Sequence, residues 1–112
     1  MAFARDAVAV EPEAASIAAS EGWLLLEFGA PWCGHCIAAQ PVLQTLVDGH
    51  ALAHVKVEDG KGRPLGRAFR VKLWPTVVLL QDGQERARVV RPRSSDDLRP
   101  LEAALEQGQM GI

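Results

Sequence analysis

The chain has 112 residues, 48% of them hydrophobic, which suits one domain, 1–112, with a packed core. Lys and Arg number 12 against 14 Asp and Glu, and the net charge of −2 argues against a nucleic-acid partner, which would call for a basic face. No run approaches the ~20 apolar residues that span a bilayer.

Met1-Ala-Phe-Ala-Arg-Asp6 lacks the basic stretch and apolar run of a secretory signal, so the expectation is a cytoplasmic chain with no membrane partner. A sequence trimmed of its leader would look the same, and would make a periplasmic location possible. Ala7–Val10 reads as a short first strand. Pro12 then opens an Ala-rich helix to about Ser20. Trp23-Leu-Leu-Leu-Glu-Phe28 is a nearly continuous apolar strand of the kind buried at the centre of a sheet. Gly29–Trp32 forms a turn into a helix from about Cys33 to Val47. Pro41 inside it has no amide donor and should kink it.

Ala51–Glu58 alternates as a strand does, Asp59–Gly62 is a loop, and Pro64–Phe69 a short helix. Thr76–Leu80 and Glu85–Val90 are strands joined by a hairpin turn at Gln81–Gln84. Ser94 or Ser95 caps a last helix whose first turn holds Asp96 and Asp97, where acidic side chains suit the dipole. Gly108 marks its end. The order is βαβαβαββα, an α/β chain with a mixed central sheet: two parallel crossovers, a hairpin and a closing helix.

The only two cysteines stand three apart, as Cys33-Gly34-His35-Cys36. A bridge across so small a loop stabilises a fold little, so the pair suits opening and closing. A zinc site built on Cys33, Cys36, His35 and either His50 or His54 is disfavoured. Tetrahedral zinc needs four converging ligands, and His35 lies between the cysteines. No metal and no cofactor is expected.

This order of elements, with Cys-x-x-Cys at a strand-to-helix junction, resembles the thioredoxin superfamily over nearly the whole chain. Ala30–Cys36, preceded by Glu27-Phe28, is similar to the catalytic domains of protein disulfide isomerase; thioredoxin itself usually has Pro in place of His35. About forty residues further on, Trp74-Pro75-Thr76 followed by Val77–Leu80 resembles the family's cis-proline loop. The resemblance implies a monomeric thiol–disulfide oxidoreductase acting on protein or peptide disulfides and dithiols. It also implies a recycling partner such as thioredoxin reductase or glutathione. The motif favours oxidase or isomerase chemistry, whereas a cytoplasmic location favours reduction, so the direction stays open, as does the physiological substrate. A non-catalytic binding or chaperone-like module is the alternative, and the intact cysteine pair argues against it.

Roles follow from the resemblance together with the chemistry. Cys33, at a helix amino terminus where unpaired amides favour a thiolate, matches the attacking cysteine. Cys36, one turn deeper on the same face, matches the resolving one. Glu27 matches the family's buried acid beneath the resolving cysteine, and burial without a partner cation would make it a proton acceptor near neutral pH. His35 can stabilise the thiolate by hydrogen bond or charge and so make the disulfide more oxidising. Pro75 should be cis, with the Trp74 backbone exposed for strand-like pairing with substrate. Trp32 should line the active-site surface and Trp23 should pack in the core. His54 falls where the family usually has a Lys near the buried acid. Arg91 falls where thioredoxin often has Gly on its docking surface. Arg93 matches an Arg that assists the resolving cysteine in protein disulfide isomerase.

Overall fold

The computed structural model describes residues 3–110. Its elements are α1 (Ala14–Ala18), β1 (Trp23–Gly29), α2 (Gly34–His50), β2 (Ala53–Glu58), α3 (Pro64–Ala68), β3 (Thr76–Gln81), β4 (Gln84–Val90), a 3-10 turn (Ser95–Leu98) and α4 (Arg99–Met110). The four strands lie in the order β2-β1-β3-β4. β1 pairs parallel with β2 and antiparallel with β3, and β3 pairs antiparallel with β4. β1 is central and buried on both faces, which is why its sequence is apolar almost throughout. Leu25, Val77 and Leu79 face a core shared with Leu43 and Val47 of α2 and with Leu101 and Leu105 of α4. Leu24, Leu26, Phe28, Val78 and Leu80 face the opposite one, closed by Ile17 of α1 and Leu65 of α3.

Ala7–Val10 is not a strand. All four residues are exposed, so no apolar face drives the segment onto the sheet, and Val8 alone donates an N–H to Lys56 O of the neighbouring edge strand, at 2.9 Å. The sheet consequently contains one parallel crossover, β1-α2-β2, where the sequence suggests two. Gly108 does not end the last helix either, since α4 runs on to Met110. A side chain at Gly108 would collide with the Trp23 ring, so this glycine is there for close packing. Trp23 packs against the core as expected. The hairpin turn places Asp82 and Gly83 at φ 51° and 79°, the left-handed pair that a two-residue connection requires. Among the described residues no helix is long and apolar enough to cross a membrane.

Candidate active site

The site forms where β1 runs out into α2. Cys33 is extended (φ −79°, ψ 120°) and stands at the N-cap of α2, and its carbonyl accepts the Ile37 N–H at 3.0 Å. Its sulfur therefore faces the free amides of the first turn. Burial alone would push the Cys33 thiol up. The backbone N–H and side chain of Cys36, the backbone N–H of His35 and the charge of Arg91 outweigh that and hold it below its ordinary value. Cys36 is buried one turn deeper. Burial first of all, against an opposing hydrogen bond from the Ala30 backbone, and then the Cys33 sulfur and the Glu27 charge push its thiol up to about 12. Both cysteines are free. Gly29 makes this packing possible, because a Cβ there would lie 2.5 Å from Cys36 Sγ.

Behind Cys36, Glu27 is 2% exposed in the middle of β1. No Lys or Arg side chain bonds to its carboxyl group among the described residues, but two other side chains do. His54 Nε2 is 2.9 Å from Oε1, and Gln40 Nε2 donates to Oε2 at 2.9 Å. The same Gln40 amide donates to Cys36 O at 2.8 Å, while its Oε1 accepts from Lys56 Nζ at 2.6 Å. Lys56 is the register partner of Glu27 on β2, yet it reaches the carboxylate only through Gln40. A cleft of about 640 Å³ opens beside this group, with Glu27, Cys36, Ile37, Gln40, Lys56 and Arg5 in its walls.

The other wall comes from the loops at the same end of the sheet. The Trp74–Pro75 peptide bond is cis. Trp74 is half-buried, its indole N–H donating to Asp59 Oδ2 at 2.8 Å and its ring meeting that of Trp32 edge-on at 5.6 Å between centroids. Trp32 is 74% exposed, with Ile37 and Leu73 also open to solvent. Arg91, in the left-handed region at φ 53°, donates its N–H to Pro75 O and its Nε to Trp74 O, at 2.9 and 2.8 Å. One lone pair of the Trp74 carbonyl is thus already engaged. The Arg93 side chain is exposed, and its backbone N–H donates to Asp97 Oδ2 at 2.8 Å. The His35 side chain is exposed, and its contribution to Cys33 comes from the backbone N–H.

A buried acid, a helix-start cysteine and a cis-proline loop converge at one end of a mixed sheet, and the thioredoxin family model matches residues 8–103. The chain belongs to the thioredoxin family. It is similar to thioredoxin 2 from Pseudomonas aeruginosa PAO1, solved in its reduced form, with 48% identity and a TM-score of 0.79 over 90% of this chain and 95% of that one. It is similar to Bacillus subtilis thioredoxin, 37% identical over 58% of this chain and 64% of the relative. It is also similar to Gallus gallus protein disulfide-isomerase, 33% identical over 67% of this chain. The chain spans only 13–17% of the length of these disulfide isomerases.

Against this thioredoxin fold, sequence reasoning missed three parts of the site. Gln40 lies four residues after Cys36, on the same helix face, and that spacing was the available signal. Asp59, which steadies Trp74, and the amino-terminal segment that reaches His54 carry no motif. Their contacts are long-range.

Proposed function

We propose that this thioredoxin-family protein is a thiol–disulfide oxidoreductase that exchanges disulfides with protein or peptide partners through Cys33 and Cys36. The observation that carries this reading is the contrast between the two sulfurs: Cys33, held below its ordinary value at the helix start, against Cys36, pushed up to about 12 beside Glu27. The Cys33 thiolate attacks a substrate disulfide, forming a mixed disulfide and releasing one substrate thiolate. Cys36 then gives its proton to Glu27 and attacks Cys33 Sγ. That step forms the Cys33–Cys36 disulfide, breaks the mixed one and frees the second substrate sulfur. The reverse sequence oxidises a dithiol, and the recycling partner sets the direction. Trp32 and the Trp74–Pro75 loop form the surface on which an extended substrate lies.

Substituting Cys36→Ser should trap mixed disulfides on Cys33, and Cys33→Ser should abolish insulin reduction. Glu27→Gln should slow resolution of the mixed disulfide more than its formation, because only resolution requires Cys36 to lose a proton. A double Cys→Ser protein that retained full activity would instead identify a binding or chaperone-like module.

A further inference from the structure

Two donors that cannot reverse fix the direction of the protons around Glu27. The first is the Ala4 backbone N–H, 2.9 Å from His54 Nδ1. An amide N–H only donates, so Nδ1 is the bare nitrogen and the ring proton resides on Nε2. That proton points at Glu27 Oε1, 2.9 Å away, between side chains 0% and 3% exposed. The second is the Lys56 ammonium, which donates to Gln40 Oε1. An ammonium accepts nothing, so Gln40 turns its NH2 toward Glu27 Oε2 and the Cys36 carbonyl. Both chains of donors end on Glu27, whose carboxylate only accepts.

We propose that His54 is a positioning residue, locked in its Nε2–H form by the amino-terminal segment, which holds Glu27 as a carboxylate beside Cys36 and does not itself carry the proton. The proposal rests on Glu27 being the base for Cys36. As Cys36 attacks, its S–H proton moves to a free lone pair of Glu27, the Cys33–Cys36 bond forms, and the substrate sulfur departs with the electron pair of the broken disulfide. His54 and Gln40 already direct a proton at each Glu27 oxygen. His54 takes none from it while the Ala4 N–H holds the ring proton on Nε2, and the Gln40 amide is not a base. The proton therefore leaves Glu27 through the adjoining cleft to solvent.

The lock is built by residues remote in sequence. The Phe3 ring lies 5.0 Å from that of His54, and Lys56 Nζ donates to Arg5 O at 2.8 Å, holding the segment across the end of the network. The titratable groups around the network and its cleft are Glu27 on β1, Lys56 and Glu58 on β2, Cys36 on α2, and Arg5 and Asp6 in the amino-terminal segment. Of these, Glu27 alone bonds to the His54 ring.

The test compares two variants. His54→Gln keeps an N–H for Glu27 and a carbonyl for the Ala4 amide, and it cannot titrate. His54→Leu supplies neither. Resolution is read as single-turnover reduction of a fluorescent peptide disulfide across pH, and formation of the mixed disulfide is read in a Cys36→Ser background. His54→Gln should resolve within about threefold of the parent with an unchanged pH profile, whereas His54→Leu should resolve about tenfold slower with formation little altered. A His54→Gln profile that loses an ionisation, or a His54→Leu protein that resolves at the parent rate, overturns the proposal. If His54→Leu fails to fold, nitrogen-15 NMR of the parent protein decides: a protonated Nε2 with a bare Nδ1 is required, and the opposite tautomer overturns the lock. Glu27→Gln resolving normally would remove the base itself. Slow Glu27→Gln beside normal His54→Leu would remove only the role of His54.

Discussion

At the scale of single residues, the middle of the Cys-x-x-Cys motif acts on Cys33 through its backbone. The His35 N–H faces the Cys33 sulfur while the imidazole is exposed. Two substitutions separate these contributions. His35→Ala keeps the N–H and removes the ring, whereas His35→Pro removes both and is sterically tolerated in a first helical turn. Losing a hydrogen bond to the thiolate raises the Cys33 pKa and lowers the preference for the reduced form. His35→Pro should therefore be the harder of the two to reduce, by about 30 mV for each ~1.4 kcal/mol of lost thiolate stabilisation. Thiolate absorbance titrations and glutathione-coupled potentials measure both quantities. Equal values for the two variants would assign the whole effect to the ring.

At the scale of elements, the segment from Arg93 to α4 is held at its start by one carboxylate. Asp97 Oδ2 accepts the N–H groups of Arg93 and Ser94, at 2.8 and 3.2 Å. Those two bonds, chiefly the one from Arg93, hold its carboxyl below the ordinary 3.8. A depressed carboxyl contributes stability that is present above its unfolded value and is lost as pH falls through the folded one. Asp97→Asn should therefore lower the urea midpoint at neutral pH, and the gap to the parent should close as pH falls below 3.8. A gap that stayed constant would mean that the anchor does not depend on charge. Gly29 joins two elements in a similar way. Gly29→Ala would press on Cys36 Sγ and should slow resolution while leaving Cys33 alkylation near the parent rate.

At the scale of the whole molecule, the buried sulfur links redox state to folding. The unfolded chain ionises Cys36 near the ordinary 9.0, while the folded protein resists ionisation up to about 12. The unfolded state therefore releases this proton first. The reduced protein should lose stability as pH rises from 9.0 toward about 12, relative to a Cys36→Ser protein that has no thiol to ionise. Denaturant midpoints of the two proteins across that window give the difference. Parallel curves would indicate that Cys36 ionises as freely in the fold as outside it.

The strand β1, the cysteine pair at the head of α2, the β3–β4 hairpin and the Trp74–Pro75 loop were all legible in the sequence. The first three are carried by local signals, an unbroken apolar run, a fixed spacing and turn residues with one permitted backbone, and the loop by its resemblance to the family's cis-proline motif. His54 beside the buried acid was legible too, by its place in the motif frame. The sequence could not show that Ala7–Val10 stays off the sheet, because an apolar stretch forms a strand only where another surface buries it. Nor could it show that Gly108 makes room for a tryptophan 85 positions earlier in the chain. The proton directions around Glu27 were equally out of reach. They follow from Ala4, 50 residues from His54, and from Lys56, 16 residues from Gln40, each able only to donate. Periodicity and spacing report what a residue does to its neighbours along the chain, and a hydrogen-bond network closed across three elements exists only once the chain has folded.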